Sequence, residues 1–307
     1  MNEFVFSYPT KVYFGKGAVA KALRAELGQT GNTVMLAYGG GSVKRNGIYD
    51  EIAAILQEMG KTIVEFSGIM PNPTYAKVQE GAALAKKEQA DYILAVGGGS
   101  VIDCCKIVAA KAKTEEDIWN MEFVQRRLPA DAIPLGAVVT ASGTGAEMNG
   151  GAVITNEELQ IKTGVLAYAP RFAVLDPAYT MSVPAMQVIF GAFDTLSHAM
   201  ETYLGQSDED NVSDDVALAV MRSTVRNMRR LLADGSDLQA RGNLMWDSAM
   251  AAFIKECGLP SRMGELKSKV EITPEVLRKV ADTCNIIKSN PRELDRDEIY
   301  EILMECM

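Results

Sequence analysis

Histidine is almost absent: His198 is the only one in 307 residues. A Ser–His–Asp or Cys–His nucleophilic centre has that single candidate base, and a metal site of several imidazoles is excluded within one chain. Cysteine is scarce too. The five are Cys104, Cys105, Cys257, Cys284 and Cys306; none forms a C-x-x-C pair, the count is odd, and the adjacent Cys104 and Cys105 are poorly placed to bridge each other. This is the usage of a reducing cytoplasm, the expected location, and not a disulfide framework. No apolar run reaches the roughly 18 residues of a transmembrane helix, so no membrane association is expected. The start, Met1-Asn2-Glu3-Phe4, lacks the basic segment and apolar core of a signal peptide. Basic excess is lacking as well: the net charge of −9 argues against nucleic acid as a partner. What remains is 48% hydrophobic and 23% charged, the balance of a globular chain with a sizeable core in one large or two ordinary domains.

The two halves read differently. Between 33 and 176, short β-branched runs alternate with helical patterns. Strands are expected over 33–38, 62–66, 92–96, 133–140 and 172–175, and helices over 48–59, 75–87 and 101–111. Strand–helix alternation with continuously apolar strands predicts a parallel, doubly wound sheet. After Pro184 the strand signals stop, and helices are expected over 188–204, 212–232, 238–254, 274–284 and 296–304. The expected fold is α/β: an N-terminal Rossmann-like doubly wound sheet domain over 1–180, then an all-helical domain over 181–307. The loop Ser207-Asp208-Glu209-Asp210-Asn211 is acidic and expected to be exposed.

Two glycine clusters stand where strands end. Gly97-Gly98-Gly99-Ser100-Val101-Ile102-Asp103 follows the 92–96 strand and opens a helix. Such a segment is either a cradle for pyrophosphate or a tight turn that needs positive φ. It is neither G-x-G-x-x-G nor a P-loop, since no Gly-Lys-Ser/Thr follows. Gly39-Gly40-Gly41-Ser42, with Lys44 and Arg45 behind it, ends the 33–38 strand. Two such clusters at the carboxyl ends of parallel strands favour a ligand there, because open α/β sheets bind at that edge. Thr140-Ala141-Ser142-Gly143-Thr144 adds three hydroxyls, suited to phosphate, ribose or amide, or to a plain polar loop. In the helix 188–204, Asp194 and His198 are four residues apart and Glu201 three further, all on one face. That is half of a divalent metal site, or an Asp–His hydrogen bond at a domain junction.

In this order the motifs resemble the iron-containing (group III) alcohol dehydrogenases, nearest the branch of NADP-dependent butanol dehydrogenases and aldehyde reductases. The matching stretches are Phe14-Gly15-Lys16-Gly17, Tyr38 to Ser42, Pro71-Asn72-Pro73, Gly97 to Asp103, Thr140 to Asn149, Gly191 to Tyr203, Asn243-Leu244-Met245-Trp246 and Phe253 to Pro260. The resemblance implies hydride transfer between NADP(H) and a primary alcohol or aldehyde, with a divalent metal, iron or zinc, as Lewis acid. By the same resemblance Gly97, Gly98, Gly99 and Ser100 cradle the pyrophosphate and Asp103 lies near the nicotinamide end. Thr140, Ser142 and Thr144 line the cofactor path, and Lys162 and Tyr179 contact adenosine or ribose. Gly39, Gly40, Gly41 and Ser42 complete the cofactor set; a homodimer or other homo-oligomer is expected, because the absence of family helices from the helical domain would uncover apolar faces. NAD-preferring enzymes place a carboxylate on the adenosine ribose; the 39–42 turn has none and Lys44 and Arg45 follow, which predicts NADP(H).

The family pattern also has several helices between the segments ending near Ala251 and beginning near Phe253, bearing two histidine ligands and a further histidine near the nicotinamide. Here the segments run together, so an internal deletion is expected and only Asp194 and His198 carry over as metal ligands. Weak or absent metal and low activity follow as expectations. The alternative is an impaired nucleotide-binding remnant. The related sugar-phosphate cyclases and glycerol-phosphate dehydrogenases share the architecture, but Tyr38-Gly39-Gly40-Gly41-Ser42 and Thr144 to Asn149 look more like the alcohol dehydrogenase branch.

Overall fold

The computed structural model describes residues 8–205 and 212–256, with a few isolated positions beyond. The helices expected over 274–284 and 296–304, the acidic loop, and Cys257, Cys284 and Cys306 lie, isolated positions apart, outside the described residues.

Among the described residues eight strands and eight helices run in the order β1 (Lys11–Phe14), α1 (Ala18–Leu27), β2 (Thr33–Tyr38), α2 (Ser42–Arg45), α3 (Ile48–Glu58), β3 (Thr62–Phe66), α4 (Tyr75–Lys87), β4 (Tyr92–Gly97), α5 (Gly99–Lys111), β5 (Leu135–Val139), β6 (Gly151–Asn156), β7 (Ile161–Leu166), β8 (Phe172–Leu175), α6 (Ala185–Gly205), α7 (Val212–Ala233) and α8 (Leu238–Glu256). Six strands form one parallel sheet, ordered β1-β8-β5-β4-β2-β3. Both faces are covered, which is why the strands read as unbroken apolar runs. Along β2 the alternation is plain: Met35 and Ala37 pack with α4 and α5 residues such as Val78 and Ile107, while Val34, Leu36 and Tyr38 pack with α1 and α3 residues such as Leu23 and Ile52. The doubly wound sheet followed by a helical region stands as the sequence indicates.

Several pieces were not foreseen, the short helix α2 among them. The edge strand β1 and helix α1 precede the first expected strand. The antiparallel hairpin β6–β7 falls in a stretch of polar and glycine residues with no strong alternation. A single π-turn, residues 120–124, interrupts the path from α5 to β5. The expected strand over 133–140 is shorter, Leu135–Val139, because Thr140 already leaves the sheet for the hydroxyl loop.

The helical region packs onto the sheet through α8. Met245, Ala249 and Ala252 join the core on the α5 side, and the buried Arg241 donates to the Thr180 carbonyl at the junction. α6, α7 and α8 meet over Ala199, Ala217, Val220 and Ala251, small side chains that let the helices approach closely.

Candidate functional site

In the strand order, β2 and β4 are neighbours whose chain connections run to opposite sides. Such a switch point leaves a crevice at the carboxyl ends of the strands. A cleft of about 850 Å³ opens there, lined by Gly39, Gly40 and Ser42 after β2, by Gly97, Gly98, Gly99 and Ser100 after β4, by Thr140, Ser142 and Thr144 after β5, and by Asp194 on α6.

The glycines have distinct physical reasons. A Cβ on Gly97 would stand 2.5 Å from Val101, and one on Gly99 would stand 2.5 Å from Thr144 Oγ1, so both are demanded by packing. Gly40 is the opposite case: it lines the cleft and nothing lies within 4 Å of where its Cβ would be. Gly98 is the N-cap of the 13-residue α5 and is extended, leaving the helix's first-turn N–H groups at the cleft. An amide-rich helix start with glycine in front of it is an anion site. The residues present therefore fit a dinucleotide pyrophosphate.

The hydroxyl loop is held from both helical sides. Gly143 N donates to Ser248 Oγ of α8 at 3.0 Å, and Thr195 Oγ1 of α6 shares its one proton between Gly191 O at 3.0 Å and Gly143 O at 3.2 Å. Gly143 and Gly191 touch backbone to backbone: a Cβ on Gly191 would stand 2.2 Å from Ser142 O. Hence α6, with Asp194, sits at a fixed distance from the α5 N-terminus. Met70, Phe190 and Phe193 are apolar residues lining the same cleft as Asp194.

Other expected site residues stand elsewhere. Gly41 is outside the lining set and takes φ +89° to turn the chain into α2. Asp103 is also outside it; its Oδ2 accepts from Val153 N at 2.9 Å, tying α5 to the hairpin. Beside it lies Lys106, fully buried, which donates to Asn149 Oδ1 at 2.9 Å and Gly151 O at 2.6 Å and is 3.6 Å from Asp103 Oδ1. Burial pushes the neighbouring Glu147 carboxyl up to about 7. Lys162 Nζ donates to Asn72 Oδ1 at 2.8 Å, next to the cleft-lining Pro71. Tyr179 does line the cleft, and its hydroxyl donates to Glu51 at 2.7 Å; burial, with Glu51, raises the phenol's pKa.

On α6, His198 Nε2 is 3.8 Å from Asp194 Oδ1 and Nδ1 is 3.5 Å from Glu201 Oε2. The three do lie together on one helix face. Among the described residues, however, no group of three or more His, Cys, Asp or Glu side chains is arranged to hold a metal ion. Two donors from a single helix do not enclose a cation, so the described residues do not fit a complete metal centre.

Sequence reasoning passed over Ser248, Thr195 and Glu65. Ser248 and Thr195 carry no signal in a helical pattern. Glu65 does carry one, being the sole charge in the strand Thr62–Phe66. Its carboxylate gathers Tyr38, Lys44 and Tyr49, so one of the two cations behind the first glycine turn is already paired.

Residues 9–177 match the family described as iron-containing alcohol dehydrogenase, and residues 188–259 match its C-terminal counterpart. The chain is 40% identical over 253 residues to NADH-dependent butanol dehydrogenase A of Clostridium acetobutylicum, covering 82% of this chain and 64% of that one. It is 35% identical over 255 residues to the NADPH-dependent aldehyde reductase YqhD of Escherichia coli, covering 82% and 65%. The crystal structure of NADH-dependent butanol dehydrogenase A from Thermotoga maritima superposes with a TM-score of 0.79 at 39% identity, over 85% of this chain and 66% of that one. The chain thus spans somewhat under two thirds of the length of these curated relatives.

Proposed function

Since the chain belongs to the iron-containing alcohol dehydrogenase family, we propose that it transfers hydride between NADP(H) and a primary alcohol or aldehyde in the cleft at the sheet's switch point. One observation carries this reading: two glycine turns, the α5 N-terminus, the hydroxyl loop and Asp194 share a single cleft.

The α5 amides and the Gly97–Gly99 turn hold the pyrophosphate. Ser142 and Thr144 hydroxyls meet ribose or amide. A bound nicotinamide supplies or accepts the hydride. Met70, Phe190 and Phe193, apolar and lining the cleft, take the alkyl part of a small substrate. Asp194 and His198 are the donors proposed for the family's divalent metal, whose shell the described residues do not complete. A match to both family domains, over residues 9–177 and 188–259, does not favour the impaired remnant.

NADP(H) is proposed because the 39–42 turn carries no acid and a guanidinium nitrogen of Arg45 lies 3.6 Å from where a Cβ on Gly41 would be. The second reading, NAD(H), is favoured by the ion pair that occupies Lys44.

Fluorescence titration with NADPH tests the proposal. The wild type should bind one dinucleotide per chain. Gly40→Leu should keep its unfolding temperature, because its Cβ meets nothing, and lose binding, because its side chain takes the cleft. Equal binding by both proteins contradicts the assignment.

A further inference from the structure

The first glycine turn is followed by two cations in different company. Arg45 stands against Gly41. Lys44 is claimed by the neighbouring strand: its ammonium donates to Glu65 Oε1 at 2.7 Å and lies 4.5 Å from the centre of the Tyr49 ring and 5.4 Å from that of Tyr38. The Tyr38 hydroxyl donates to the same carboxylate oxygen, and the Tyr49 hydroxyl donates to Oε2 at 2.9 Å. Both oxygens of Glu65 are thus used, and Lys44, then Tyr38, hold its carboxyl below the usual range. Glu65 pairs in register with Leu36 on β2, so its side chain reaches across the end of that strand to the residues just behind Ser42, which lines the cleft.

The charge consequence is specific. NADP(H) differs from NAD(H) by a 2′-phosphate, a dianion at neutral pH. A lysine in an ion pair contributes almost no net field to that phosphate, and the carboxylate itself repels it. NAD(H), with ribose hydroxyls at that place, is nearly indifferent to either charge.

We propose that Glu65 is a specificity-determining residue for the nicotinamide cofactor: by pairing with Lys44 behind the 39–42 turn, it holds down the affinity for NADP(H) relative to NAD(H). This rests on the cofactor reading above. It also explains how a turn with no acid of its own can still meet a carboxylate, one delivered by β3.

The test is direct binding of NADPH and NADH by calorimetry to the wild type, Glu65→Gln, Lys44→Met and the double variant. Glutamine keeps the size; its amide oxygen can accept from Tyr38 while its NH2 donates to the Tyr49 hydroxyl oxygen. The effect expected is that of one partly exposed charge, about two- to fivefold. Glu65→Gln should tighten NADPH by that factor and change NADH less than twofold. Lys44→Met should weaken NADPH by a similar factor, and the double variant should return to the wild-type ratio. The Glu65→Gln gain should shrink in high salt. If Glu65→Gln moves both cofactors equally, or neither, while the wild type binds, this inference is wrong and the cofactor reading stands. If the wild type binds neither dinucleotide, the cofactor reading fails and takes this inference with it.

Discussion

Replacing Gly191 by alanine should destabilise the protein, although alanine is the better helix former. Gly191 lies inside α6, where propensity alone favours alanine by about 1 kcal/mol. Against that stands the contact with the hydroxyl loop. The new Cβ would lie 2.2 Å from Ser142 O, a backbone atom, where about 3.3 Å is the near limit for carbon against oxygen. The loop cannot retreat freely, because Gly143 is bonded to Ser248 and Thr195. Overpacking of this kind costs about 1–3 kcal/mol, so the clash outweighs propensity and a net loss of about 1 kcal/mol is expected. Urea unfolding of the two proteins measures it. The same shift moves Asp194 away from the α5 N-terminus, so turnover should fall more than NADPH binding does. An alanine variant about 1 kcal/mol more stable than the wild type would refute the reasoning, since propensity would then be acting unopposed.

Ser248→Ala should cost about 1–2 kcal/mol by orphaning the buried Gly143 N–H, read as a lower urea midpoint, and should weaken cofactor binding through the loop. Glu122 is buried with neither carboxyl oxygen hydrogen-bonded, and burial pushes its pKa up to about 8. The folded state thus favours the protonated form, so stability is fullest below the unfolded pKa of 4.5 and is lost as pH rises towards 8. Glu122→Gln should gain up to a few kcal/mol at pH 8 and little at pH 4.5; equal gains at both would contradict this. Purified protein should lose iron or zinc on dialysis, because Asp194 and His198 supply two ligands from one helix. Near-stoichiometric retention, abolished by Asp194→Ala, would mean that residues outside those described complete the site.

The parallel sheet was legible because both faces are buried: apolar runs such as Thr33–Tyr38 and Tyr92–Gly97 leave little choice. Helices α3 to α8 declared themselves by periodicity; α1 and the single turn α2 did not. The β6–β7 hairpin did not, since Thr163 on its buried face and the exposed Leu166 blur its apolar alternation, and its anchors, Asp103 and Lys106, lie 50 and 45 residues from their hairpin partners Val153 and Gly151. The same limit governed the site. Gly97 to Ser100 could be placed because a glycine turn between strand and helix is a local pattern. Ser248 holding Gly143 spans 105 residues, and no local pattern encodes such a pair. Lys44 could be read as a cation from sequence, but its neutralisation by Glu65 depends on strand pairing.

The central claim is that the α5 N-terminus holds the pyrophosphate of a nicotinamide dinucleotide. Crystals grown with NADPH test it directly. The account predicts the pyrophosphate against the amides of Gly98 to Ser100, with adenosine towards the 39–42 turn and nicotinamide towards Asp194. A dinucleotide bound away from these amides, or none bound at saturating concentration, would contradict it.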